Sequence, residues 1–152
     1  MQDSKDLLKL LKAADLFIGL TDEQIQRLID ISRETTFGAN EVIFAQGDEG
    51  DNLYIIRQGQ VDIRVESEPG SSRSQVYLGK GQVFGEMALI DYGRRSATVR
   101  SITKNTVVDV ISRDAFTKLC DEDKAIGYVV MRNLAVDLSF KLRHRNLDPN
   151  AE

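Results

Sequence analysis

The chain has 152 residues, 41% of them hydrophobic, and a formal net charge of −4. That length suits one core of ordinary size, and the acidic balance argues against a dedicated nucleic-acid binder, whose phosphate contacts need clustered Lys and Arg in excess. A lone cysteine, Cys120, excludes an internal disulfide, no run approaches the roughly 20 apolar residues of a membrane span, and polar residues 1–6 hold no signal-peptide core, so a cytoplasmic chain without membrane contact is expected.

In chain order, Leu7, Leu8 and Leu11 fall on one face of a first short helix, preceded by Asp3 and Ser4, which suit free N-terminal amides. The second helix is marked more strongly. Thr21 and Gln24 form a capping box, Leu20 and Ile25 a hydrophobic staple, and Ile25, Leu28 and Ile29 one buried face. From about residue 34 to 111, short runs rich in Val, Ile, Phe and Tyr alternate with turn residues, the pattern of successive brief strands. Val61-Asp62-Ile63-Arg64-Val65 predicts a strand with one wet face. Turns are expected at 38–40, 47–52, 58–59 and 79–81, with the least ordered loop at 69–74. Strands this short need a second sheet or a closed barrel to cover them, so the expected fold is mainly β, a sandwich, jelly roll or small barrel, with flanking helices.

Beyond the strand Val107-Val108-Asp109-Val110-Ile111, Ser112 is placed to cap a helix carrying Phe116 and Leu119. The last helix, from about 122 to 145, sets Ile126, Val130, Leu134, Leu138 and Leu142 four apart, with Tyr128, Val129, Met131 and Ala135 widening the stripe. No low-complexity linker or internal repeat divides the chain. A single domain is expected over 1–152, with N-terminal helices about 4–33, a β region about 34–111 and C-terminal helices about 112–146.

The segment from Phe84 to Val99 has the wrong composition for another strand. Glu86-Met87-Ala88-Leu89 are good helix formers in too short a run to be stable alone, and Gly85 before them lets backbone come close to a neighbour. The start of such a turn offers free N–H groups that suit an anion. Arg95 returns beyond a turn at Gly93 with a planar donor fork suited to phosphate. Glu86, among these donors, would oppose a phosphate unless it faces a neutral donor such as a sugar hydroxyl.

This spacing resembles the phosphate-binding cassette of the cyclic-nucleotide-binding family, in which Phe-Gly-Glu-(Leu/Met)-Ala-Leu precedes a short turn and Arg-(Ser/Thr/Ala)-Ala-Thr-Val; Phe84 through Val99 supply each position. The stretch from Gly47 to Val61 also resembles that family's turn-and-strand segment. The resemblance implies a β-roll or jelly roll (double-stranded β-helix) with N-terminal helices and a long C-terminal lid or dimerisation helix. It implies a non-catalytic receptor, without cofactor or metal, whose ligand is cAMP or, as the alternative, cGMP. Its signal would pass by ligand-induced rearrangement of the C-terminal helix to a downstream protein partner. By position, Glu86 would accept the ribose 2′-hydroxyl and Arg95 pair with the cyclic phosphate, assisted by the amides of Gly85, Ala88 and Ser96, with Met87 completing the ligand-binding residues. A serine at position 96 leaves the purine open, since a hydroxyl there reaches guanine in some members of the family. In the empty protein Arg95 is expected to need no buried partner.

Other residues take plainer readings. Arg94 is expected to be solvated, Asp48, Glu49 and Asp51 form a solvated acidic turn that lacks the alternating oxygens of a calcium loop, and Gly47, Gly50 and Gly59 punctuate turns at positive φ. His144 is expected on the surface and Cys120 as a packed small hydrophobe. A cupin-type metalloenzyme would need clustered histidines, and the chain has only His144, outside the β region. A ligand-free interaction module of the same fold would tolerate loss of Glu86 or Arg95, and both are present. Relatives that bind DNA add a helix-turn-helix after the long helix, whereas this chain ends at Asp148-Pro149-Asn150-Ala151-Glu152, so direct DNA binding is not expected; the alternative is a regulatory fragment of a larger transcription factor, kinase or channel. The length of the last stripe predicts a homodimer through that helix, while the same stripe packed on its own β-roll would leave a monomer.

Overall fold

The computed structural model describes residues 4–68, 71–91 and 93–147. Helix α1 (Ser4–Lys12), a 3₁₀ turn (Asp15–Phe17) and α2 (Asp22–Ile31) precede eight strands: β1 (Arg33–Phe37), β2 (Val42–Phe44), β3 (Asn52–Gln58), β4 (Val61–Glu68), β5 (Ser71–Leu78), β6 (Val83–Phe84), β7 (Thr98–Ser101) and β8 (Thr106–Ser112). A second 3₁₀ turn, Glu86–Leu89, separates β6 from β7, and helices α3 (Arg113–Glu122) and α4 (Lys124–Leu147) close the chain.

The strands form two four-stranded antiparallel sheets, ordered β1-β8-β3-β6 and β2-β7-β4-β5, a jelly roll with helices to one side. Strand β3 explains the layering. Its Leu53-Tyr54-Ile55-Ile56 run is apolar without alternation because both faces are covered. Leu53 and Ile55 join a helical core with Leu11, Phe17, Ile25, Leu28, Ile111 and Ile126, whereas Tyr54 and Ile56 join an inner core with Val61, Phe84, Val99, Val108 and Val110. Asp109, on the helix-facing side of β8, is only 1% exposed, and Arg57 satisfies it with two hydrogen bonds, Nε to Oδ2 at 3.1 Å and Nη2 to Oδ1 at 2.5 Å.

Several local expectations hold. Thr21 and Gln24 form the capping box, with Leu20, Ile25 and Leu28 buried beside it, and the Ser112 side chain accepts from the Ala115 amide at the start of α3. Asn40, Gly47, Gly59 and Gly81 take positive φ in the turns. The Asp3 half of the first cap, Pro69, Gly70, Tyr92 and the 148–152 tail lie outside the described residues.

Other expectations are corrected. Strand β5 begins at Ser71, so most of the loop expected at 69–74 is strand, paired with β4 from Ser71 opposite Glu68 to Leu78 opposite Val61. Ser and Arg are poor strand signals, and the β4 edge imposes the conformation. Asp62, on the expected wet face of β4, is buried, with Arg100 and Tyr77 as its cross-strand neighbours and Arg64 Nε 3.5 Å away. The α4 stripe is only half as predicted. Ile126, Val130 and Leu134 are buried in the chain's own core and Leu138 packs against it, but Leu142 is 60% and Tyr128 69% exposed. Ala135 is exposed too. The helix begins after a break at Asp123, whose amide closes α3 on the Leu119 carbonyl and whose Oδ1 accepts from Ala125.

Candidate functional site

The site is built on the inner core. Tyr54 of β3 and Phe84 of β6 are register partners whose rings stack at 4.8 Å, and Phe44 of β2 leans on both. This aromatic floor fixes the exit of β6, where Gly85 turns the chain at φ 78° into the 3₁₀ turn. A Cβ at Gly85 would lie 2.9 Å from Arg95 Nη1 and 3.0 Å from the Asn52 carbonyl, so both space and dihedral select glycine there.

Arg95 is drawn in from the opposite side. The chain around it is strapped to the acidic turn, with the Arg95 amide on the Asp48 carbonyl at 2.7 Å and the Gly47 amide on the Arg95 carbonyl at 2.8 Å. Its side chain is only 9% exposed. The guanidinium lies 4.0 Å over the Phe44 ring, donates from Nη2 to the Asn52 carbonyl at 2.9 Å and from Nη1 to the Gly85 carbonyl at 3.3 Å, and leaves a buried Nε without a hydrogen-bond partner. Burial lowers its pKa from the ordinary arginine value, opposed by Tyr54, Asp51, Glu86 and Asp48, and it stays charged at neutral pH. This corrects the expectation that Arg95 has no buried partner in the empty protein. The aromatic floor and two backbone carbonyls hold it in place beforehand.

A cavity of about 1120 Å³ opens against this wall. All six residues expected at the site, Gly85, Glu86, Met87, Ala88, Arg95 and Ser96, line it. Glu86 is half-buried, whereas Met87 and Ser96 are exposed. The Ala88 amide, expected to be free, already donates to the Gly85 carbonyl at 3.2 Å, because a 3₁₀ turn closes one residue earlier than an α-turn. On the far side, Leu10 and Ala13 of the N-terminal segment and Asn133, Leu134, Asp137 and Lys141 of α4 complete the enclosure. None of these was singled out in the sequence for the cavity. Asn133 also fastens α4 to the first 3₁₀ turn, donating to the Leu16 and Ile18 carbonyls, each at 2.9 Å.

Gly50 was read as turn punctuation at positive φ, and its backbone is not of that kind. It is buried, and a Cβ on it would lie 2.5 Å from Arg95 Nε and 2.7 Å from Cζ. Its role is to leave room for the guanidinium. Gly47 and Gly59 do take positive φ. Arg94 is exposed as expected, though its Nη1 donates to the Gly47 carbonyl, and Asp48, Glu49 and Asp51 are exposed. His144 is exposed against Phe140, and Cys120 packs on the helical core, where burial raises its thiol pKa.

A family model described as cyclic nucleotide-binding domain matches residues 34–123, from β1 to the break between α3 and α4. The chain belongs to the cyclic nucleotide-binding domain family. It is 30% identical over 138 residues to the cyclic AMP receptor protein of Thermus thermophilus, covering 91% of this chain and 62% of that one. It is 27% identical over 121 residues to a cGMP-dependent protein kinase of Caenorhabditis briggsae, covering 78% of this chain and 16% of the kinase. The crystal structure of the regulatory domain of Toxoplasma gondii PKA with cAMP superposes with a TM-score of 0.69 at 27% identity, covering 78% of this chain and 46% of that one. The chain therefore spans less than two thirds of the length of each of these relatives. No described helix is long and apolar enough to cross a membrane.

Within this cyclic nucleotide-binding domain, the guanidinium of Arg95 depends on the clearance at Gly50. Gly50→Ala would push the guanidinium off its two carbonyls. Cyclic-nucleotide affinity is expected to fall about tenfold, equivalent to about 1.4 kcal/mol, with the fold retained. Calorimetric titration beside a thermal melt checks this, and an unchanged Kd would show that the clearance does not matter.

Proposed function

We propose that the chain is a non-catalytic receptor for a cyclic nucleotide, cAMP in preference to cGMP, with Arg95 on the cyclic phosphate and Glu86 on the ribose 2′-hydroxyl. The observation that carries this reading is the state of Arg95. It is a nine-tenths buried cation at a cavity wall whose buried Nε has no hydrogen-bond partner, and no carboxylate among the described residues lies within ion-pair distance of it. An incoming anion would complete such a group, gaining charge-assisted hydrogen bonds from a guanidinium already desolvated by burial. Gly85, Met87, Ala88 and Ser96 flank the same wall and would position the sugar-phosphate.

The relay to an unidentified downstream protein would run through α4, because its Asn133, Leu134, Asp137 and Lys141 face the cavity that the nucleotide would fill. Of the stripe expected to form a homodimer, Ile126, Val130 and Leu134 are buried in the chain's own core and Leu138 packs against it, so a homodimer through α4 would have to use its exposed end at Phe140 and Leu142. Calorimetry with cAMP, cGMP and 5′-AMP tests the proposal. Tightest binding of cAMP is expected. Equal or tighter binding of cGMP would overturn the preference, and no binding of either cyclic nucleotide would overturn the function.

A further inference from the structure

A smaller cavity of about 400 Å³ adjoins the large one, sharing Leu10, Ala13 and Lys80 with it and adding Asp6 and Lys9. It lies between α1 and the turn that joins β5 to β6. That turn is held by three hydrogen bonds: the Gln82 amide donates to the Gly79 carbonyl at 3.0 Å, the Gly79 amide to Gln82 Oε1 at 2.9 Å and the Gly81 amide to the Ile56 carbonyl at 2.8 Å. Gly81 takes φ 88° as its third residue, and Lys80 stands at its tip. Leu10 packs over the same turn, with Cδ1 3.5 Å from the place a Cβ would take on Gly81. The last turn of α1, which carries Lys9, is thereby set against the turn that carries Lys80. Both lysines are exposed, and neither has a hydrogen-bond or ion-pair partner among the described residues. Against these two ammonium groups, Asp6 is the one carboxylate among the described residues of this annex.

We propose that the annex is a second anion subsite, which takes a phosphate group on Lys9 and Lys80. The receptor reading leaves these two cations unused, because a cyclic mononucleotide carries a single phosphate and Arg95 is assigned to it. At about 1120 Å³ the large cavity also exceeds the roughly 300–1,000 Å³ usual for a drug-sized ligand, so one mononucleotide would leave part of it empty. An ammonium is a point charge with three rotatable donors, and two of them can close on a phosphate without the fixed fork geometry of an arginine. Leu10 and Ala13 keep water from one side of the pair, which strengthens the attraction. The second phosphate can arrive in two ways. Between Lys80 and Gly85 the chain runs through β6 over five residues, at most about 18 Å, so one dinucleotide-sized ligand can reach both ends. Alternatively, a separate phosphate-type anion sits in the annex beside the nucleotide.

Calorimetry with pyrophosphate, cyclic di-AMP and cAMP tests the subsite on the parent, Lys9→Ala, Lys80→Ala and, as a control, Lys118→Ala, an exposed lysine of α3 outside both cavities. The parent is expected to bind pyrophosphate or cyclic di-AMP. Lys9→Ala and Lys80→Ala should each weaken that binding about fivefold, the upper end for an exposed ion pair, while cAMP affinity stays within about twofold. Pyrophosphate binding that persists at saturating cAMP assigns the annex to a separate anion. Cyclic di-AMP binding that displaces cAMP, and that weakens in both Lys80→Ala and Arg95→Leu, assigns it to a single ligand with two phosphates. No binding of either probe would overturn the subsite, as would an equal loss in Lys118→Ala, which marks diffuse charge attraction. A matching loss of cAMP affinity in Lys9→Ala and Lys80→Ala would also overturn it, since the annex would then belong to the mononucleotide. The subsite goes beyond the receptor reading and fails separately from it: if neither cAMP nor cGMP binds while lysine-dependent pyrophosphate binding remains, only the receptor reading falls.

Discussion

Arg95→Leu is expected to weaken cyclic-nucleotide binding by between roughly thirty-fold and several thousand-fold, the range that corresponds to about 2–5 kcal/mol for truncating one member of a desolvated, hydrogen-bonded charge pair. A cyclic phosphate entering this cavity leaves water, and the backbone amides of a four-residue 3₁₀ turn offset only part of that cost. On the proposed reading the rest would fall to a guanidinium already held over Phe44 and on the Asn52 and Gly85 carbonyls. Preorganisation raises the value of the contact, because little side-chain freedom remains to be lost on binding. The same substitution acts on the empty protein. Leucine takes the guanidinium donors from the Asn52 and Gly85 carbonyls, of which Gly85 keeps the Ala88 amide, at about 1–3 kcal/mol, and relief of the buried charge returns part of it, so a net loss of roughly 1–2 kcal/mol of folding stability is expected. Titration of a variant verified as folded by circular dichroism, beside urea unfolding, measures both effects. Parent-like affinity in that variant would remove Arg95 from the phosphate. On the proposed reading, Glu86→Ala should act more gently than Arg95→Leu, since it would delete hydrogen bonds to a neutral hydroxyl and would leave the phosphate contacts in place.

Phe84→Ala is expected to cost about 3–5 kcal/mol of stability, the usual range for emptying a buried aromatic site. Phe84 is 2% exposed, stacks on Tyr54 and meets Phe44 at 6.0 Å, so its removal opens a hole between the two sheets. Collapse into that hole is restrained by register, because Tyr54 is fixed opposite both Phe84 and Val110. The loss extends to function, since Gly85 and the 3₁₀ turn start from the end of this strand. Urea unfolding followed by circular dichroism reads the change. A loss below about 1 kcal/mol would mean that the aromatic floor repacks freely.

The features legible in the sequence are those whose chemistry lies within a few residues. Thr21 and Gln24 announce their capping box, Ser112 its cap and Gly85 its turn, because each donor and acceptor is found three or four positions away or in a single dihedral. The run from Phe84 to Val99 is legible for the same reason: the cavity wall it forms is nearly continuous in the chain, and all six residues expected there line it.

Sequence alone determined the family, the mainly β fold with its flanking helices, and the near wall of the site. Tertiary structure alone decided what stands behind and opposite that wall. The partners of Arg95 are Phe44 and Asn52, tens of positions upstream, and Gly50 takes its meaning from a guanidinium that no local pattern brings near it. The hydrogen bonds from Arg113 to the Ala88 and Asp91 carbonyls, the destination of the α4 stripe and the burial of Asp109 under Arg57 are of the same kind. Periodicity records that a face is apolar or that a cation is present; which surface covers the one and which carbonyls receive the other depends on contacts between distant segments, and those exist only once the two sheets and the helices have packed.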